Sequence, residues 1–159
     1  MPSVRMSLFA GLIIGIAVSF WQLAAAQDPQ RAVVVDTGQP FAPFAEKLRS
    51  AAIGNGMGIV AEACAHCGAK AVLDMEIPGN RVVMIFHPRY AVRLLEANVD
   101  AGIEAPLRLY LTERPDGTAR LSYERPSRTF AGYGGKGLAE LAAELDDVVD
   151  RIVRQAQRD

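Results

Sequence analysis

Apolar residues return every three or four positions in the last segment of the chain: Leu138, Leu141, Leu145, Val148, Val149 and Ile152. This spacing follows the 3.6 residues of a helical turn and predicts a long amphipathic helix with one apolar stripe. Acids early in the segment, with Arg151 and Arg154 late, match the helix dipole. Phe41, Phe44, Leu48 and Ala52 predict a second helix, with Pro43 in its first turn and Gly54-Asn55-Gly56 at its end. A third, short helix starts at Pro88 and runs through "YAVRLLEAN".

Between the helices the period falls to two. Leu107, Leu109 and Leu111 alternate with Arg108, Tyr110 and Thr112, "PDG" reverses the chain, and Leu121 and Tyr123 carry the return. This pattern predicts a β-hairpin. The three leucines fall on one face, and the terminal helix supplies the complementary stripe. Tyr110 and Tyr123, on facing strands, are expected to pair across the hairpin, either as a stacking surface or as ordinary sheet stabilisation. "RVVMIFH" is apolar on both faces and reads as an inner strand. Ala32 to Asp36 and "MGIVAEA" are further strands. The order β-α-β-β-α-β-β-α predicts an α+β domain of two layers, a mainly antiparallel sheet of four to five strands covered by helices.

These pieces, in this order, resemble the bacterial family called domain of unknown function 302 (DUF302). Phe86-His87-Pro88 ends an apolar strand, Pro106 precedes the next, Asp116-Gly117 makes the turn, and Ser122-Tyr123 leads to Pro126. The resemblance runs from about Val33 to Val153 and implies a β-α-β(4)-α fold. It implies no reaction. A Cys-x-His-Cys after the second strand departs from the family pattern, so any chemistry there rests on the residues of this chain.

The N-terminus sets the compartment. Arg5 is followed by a charge-free run from Leu8 to Leu23, then by Ala24-Ala25-Ala26. This is the three-part form of a secretory signal, residues 1–26, with 27–30 a short tail and 31–159 one domain. An uncleaved membrane anchor is the rival reading. The expected product is periplasmic or secreted, with no stable membrane span once the signal is removed. Intact-mass analysis of the exported protein should find Gln27 at its start; a membrane-bound chain that retains Met1 would establish the anchor. Removing the signal takes away one arginine and no acid, so the net charge moves from −1 to −2. Such a balance carries no basic footprint for nucleic acid.

An oxidising compartment gives meaning to "EACAHCGAKAV", which holds both cysteines and one of the two histidines. A covalent haem site is excluded, because Gly68 rather than a histidine follows Cys67. Three readings remain. Cys64 and Cys67 close a local disulfide, with His66 a polar loop residue. Alternatively they form a redox dithiol at a strand–helix junction, where the helix N-terminus and His66 favour the thiolate. Or Cys64, His66 and Cys67 hold zinc or copper, with His87 or one of Met57, Met75 and Met84 as fourth ligand. If the second and third strands pair antiparallel, Arg81 or Val82 neighbours the cysteines and His87 lies at the far end; if parallel, His87 joins them. The more ordinary role for His87 is a cap on the helix that follows or a hydrogen bond to a backbone carbonyl.

Two other features carry less. "GYGGKG" before the terminal helix lacks the Walker spacing and reads as a loop rather than an anion cradle. Asp146, Asp147 and Asp150 read as a solvated helix face. No nucleophile–His–acid arrangement can be assembled from two histidines. The sequence therefore favours a non-catalytic domain that binds a ligand, a metal or a partner, including a second copy of itself as a homodimer. The alternative is a thiol–disulfide or metal-dependent redox accessory acting through Cys64 and Cys67.

Overall fold

The computed structural model describes residues 32–158. The signal, the anchor alternative and the tail lie outside these residues. Among the described residues, no helix is long and apolar enough to cross a membrane.

Five strands form one antiparallel sheet: β1 (Ala32–Pro40), β2 (Gly58–Cys64), β3 (Asn80–Phe86), β4 (Leu107–Glu113) and β5 (Thr118–Glu124), in the order β1-β5-β4-β3-β2. β2 to β5 form a meander, and β1 adds beside β5. β1 and β2 are therefore the two edges. α1 (Phe41–Gly54) crosses from one edge to the other. The final helix, Leu138–Ala156, lies in the same layer and buries Leu141, Leu145, Val148, Val149 and Ile152. The α+β two-layer expectation holds, and β3 is an inner strand, paired on both sides.

The helix-covered face is the main core. Val83, Ile85, Leu109, Leu111 and Leu121 meet Phe44 and Leu48 of α1 and Val148, Val149 and Ile152 of the final helix. Leu107 is half-buried at the junction with a second cluster, where Leu94, Phe130, Leu138, Leu141 and Leu145 pack. The opposite face carries Val34, Tyr110 and Arg120, all exposed.

Three helical pieces were not legible in the pattern: α2 (Ala65–Leu73), a 3-10 turn (Asp100–Glu104) and a one-turn helix (Pro126–Thr129). With α3 (Pro88–Ala97), the first two interrupt the run of four strands that the resemblance implies, and the third follows it. We number the one-turn piece α4 and the terminal helix α5. α2 buries none of its residues, so it has no apolar period set by a core. Tyr110 and Tyr123 do not pair: Tyr110 registers with Ser122 and Tyr123 with Leu109, which puts the rings on opposite faces. Asp146 and Asp150 are not free in solvent. α4 folds back onto α5, where Asp146 accepts from Ser127 N–H and Asp150 pairs with Arg125. The glycine-rich loop is a packing device. Gly135, at φ +140°, passes so close to α3 that a Cβ would stand 2.5 Å from the Ala97 carbonyl oxygen.

Candidate functional site

β2 is an edge strand with an irregularity: Ile59 faces Ile85 and Ala61 faces Met84, leaving Val60 unpaired as a bulge. The strand ends at Cys64, whose backbone is still extended (φ −113°, ψ 91°) while its side chain caps α2. The Cys67 N–H donates to Cys64 Sγ at 3.3 Å. The sulfur thus takes the role a serine or aspartate oxygen takes at most helix starts. Cys64 and Cys67 are joined as a disulfide, with Cα atoms 5.2 Å apart. Cys64 is half-buried and Cys67 exposed.

His66, on the first turn, points inward. Its Nδ1 lies 3.0 Å from both the N–H and the carbonyl oxygen of Asn80. The reason is in the sheet. Gly79 O accepts from Glu113 N on the β4 side, so the next residue, Asn80, turns its backbone groups the other way. β2 has already ended there, Cys64 being opposite Arg81. The imidazole occupies the place of a missing strand residue, and its Nδ1 pairs with one of the two Asn80 backbone groups left without a strand partner there. The Phe41 ring meets His66 edge-on, with centroids 5.6 Å apart. On its other side Phe41 lies against Gly79, where a Cβ would stand 2.5 Å from the ring.

The ring lies beside the disulfide. Cys64 Sγ is nearly equidistant from the two ring nitrogens, 3.4 Å from Nδ1 and 3.5 Å from Nε2, and Cys67 Sγ lies 3.7 Å from Nε2. Asn80 supports either tautomer. With its N–H donating to Nδ1, the ring proton sits on Nε2, the nitrogen beside Cys67 Sγ. With Nδ1–H donating to its carbonyl, Nε2 carries the free lone pair. The ring is therefore held in one place whether it gives a proton, takes one, or ligates.

Arg81, across from Cys64, belongs to an ion-pair group on the same face. It lies 3.4 Å from Glu46 and 3.5 Å from Glu62, and Glu62 also pairs with Arg49. Titrations are displaced in other ion pairs. A hydrogen bond from Arg120, with Arg114 adding to it, holds the Asp36 carboxyl below its ordinary value, and burial with Asp150 pushes the Tyr123 hydroxyl up.

Of the proposed ligands, Cys64, His66 and Cys67 come together, with ligand atoms within 4.8 Å of one another. His87 does not join them. β2 and β3 are antiparallel, and Gly58, at the other end of β2, is opposite Phe86. Six residues of strand separate His87 from Arg81, about 20 Å. There His87 caps α3, its Nδ1 accepting from Arg89 N–H, beside an apolar cavity of ≈ 30 Å³ lined by Met57, Tyr90 and Leu145. Met57 is buried there, and Met84 is across from Ala61 on the face opposite the helices. Met75 is exposed just after α2. Asn80, Gly79 and Phe41 are site residues that sequence reasoning did not single out. Asn80 acts through its backbone, which no side-chain pattern reveals.

The family described as Domain of unknown function DUF302 matches residues 33–156. No curated protein matches the chain. Among solved structures, the chain is similar to the crystal structure of an uncharacterized conserved DUF302 protein from Bacillus stearothermophilus. The two share 17% identity with a TM-score of 0.67, over 79% of this chain and 98% of that one. At that identity the likeness is one of fold.

Proposed function

The chain belongs to the DUF302 family, and on that premise we propose that this member is an exported thiol–disulfide exchange domain acting through Cys64 and Cys67. The observation that carries the reading is the asymmetry of the pair. Cys67 is exposed, whereas Cys64 is half-buried, accepts the Cys67 N–H, and lies beside His66. An incoming thiolate attacks Cys67 Sγ. The Cys64–Cys67 bond breaks, and Cys64 leaves as a thiolate. The N–H donor and the positive end of α2 stabilise that thiolate, and His66 stands ready to protonate it. A leaving thiol of lower basicity departs faster.

Equilibration with a glutathione redox buffer, read by alkylation and mass spectrometry, tests this. The pair should be half-reduced at a potential above about −300 mV, the range of labile rather than structural disulfides. A pair that stays oxidised below that value is a staple, and the exchange reading fails.

A second reading, zinc or copper bound by the reduced cluster, is favoured by the convergence of its donors: with the disulfide opened, Cys64, His66 and Cys67 offer two thiolates and an imidazole whose ligand atoms lie within 4.8 Å of one another. In the tautomer that donates Nδ1–H to the Asn80 carbonyl, that bond orients the ring as the hydrogen-bond partners of ligating histidines do. Metal titration of the reduced protein decides it: equal weak binding by wild type and Cys64→Ala ends this reading.

A further inference from the structure

We propose that the outward face of α2, continued through residues 74–78, is the docking surface for a protein dithiol that exchanges with Cys64–Cys67. The inference rests on the exchange reading and names its partner.

α2 is unusual in this fold because none of its residues is buried. Its first turn is tied down by His66 and the disulfide, and the excursion rejoins the sheet at Asn80. Helical steps of 100° put Cys67, Gly68, Ala71 and Val72 on the side away from His66. Val72 is 80% exposed, and Met75 and Ile77 are exposed in the segment that follows. Lys70, the one charge on the helix, is engaged by Asp74 and Glu76. The reactive sulfur of Cys67 therefore sits beside small and apolar side chains, with Asp74 and Glu76 around Lys70 forming a charged edge to the surface.

The disulfide says what covers this surface. Cys64 is shielded, so exchange begins at Cys67, and a protein that brings a thiol to it must lie against Gly68, Ala71 and Val72. Gly68 and Ala71 offer no bulk to hold the partner's backbone away. An apolar rim around the partner's own thiol is the complement. The step balances without another reactant. The partner's first thiolate forms a mixed disulfide with Cys67 and displaces Cys64 as thiolate. The partner's second thiolate then attacks its own sulfur and releases Cys67. Two protons pass to Cys64 and Cys67, and the partner ends as a disulfide.

Reduction rates of the full domain by dithiothreitol and by reduced thioredoxin, used as a probe dithiol, test the surface. Thioredoxin should reduce the wild type faster per thiol. In Ala71→Gln/Val72→Gln, neutral changes at exposed helical positions, that advantage should fall by about tenfold, as when a central apolar contact is lost. The dithiothreitol rate should not change. An advantage that survives the double substitution overturns the docking surface, as does a wild type that shows no advantage. A disulfide that neither reagent opens removes the exchange reading itself, a separate outcome.

Discussion

Leu109→Ala and Leu145→Ala should each lower the free energy of unfolding by about 2–5 kcal/mol, the range for buried leucines truncated in a packed core. The two sites differ in what surrounds them. Leu109 is 1% exposed on β4, the middle strand. Val83 and Tyr123 flank it in register, and the same cluster holds Phe44 and Leu48. Strands on both sides resist collapse into the vacated space, so its loss belongs in the upper half of the range. Leu145 packs in the second cluster and already borders the small cavity near His87. Its truncation enlarges a gap rather than opening one, which puts it in the lower half. The residues occupy separate clusters, so the double variant should show nearly the sum. Urea unfolding checks both, and unchanged midpoints would sink this packing.

His66→Ala should slow reduction of the Cys64–Cys67 bond by about a hundredfold, the lower end of what a positioned proton donor supplies. It should also destabilise the domain by about 1–3 kcal/mol, because whichever of the Asn80 N–H and carbonyl is bonded to Nδ1 loses its partner at the end of β2. His66→Gln separates the two roles. A carboxamide can donate to and accept from the Asn80 backbone but moves no proton to Cys64. It should recover most of the stability and little of the exchange rate. A glutamine variant that exchanges as fast as wild type would leave His66 with the edge-filling role alone.

The strands and long helices were legible because each has a face against the core. Leu107, Leu109 and Leu111 alternate and all three turn to the helix layer, Leu107 only half-covered. The stripe on α5 is buried at every position from Leu138 to Ile152 that the pattern marked. α2, whose start only the redox reading supposed, was absent from the predicted order for the converse reason: with no side chain in the core, nothing imposes a period on it. Its start carried a local signal, a cap at Cys64 three residues before the N–H it accepts. The pairing of Tyr110 with Tyr123 failed by one residue of register, enough in a strand to reverse a side chain's face.

By itself, the chain's order of residues determined the period of each long element, hence which side of it seeks the core, and the closeness of Cys64, His66 and Cys67, which a separation of three residues guarantees. It left open whether His87 joined them, because strand direction is a non-local property set by which partners close the sheet. The tertiary structure decided that question through the antiparallel β2–β3 pair, which puts Arg81 opposite Cys64 and sends His87 to the far end. It also turned His66 inward, since β2 stops one residue short of Asn80 and a backbone amide and carbonyl require a partner there. Local periodicity encodes faces; register and strand ends come from contacts between residues far apart in the chain.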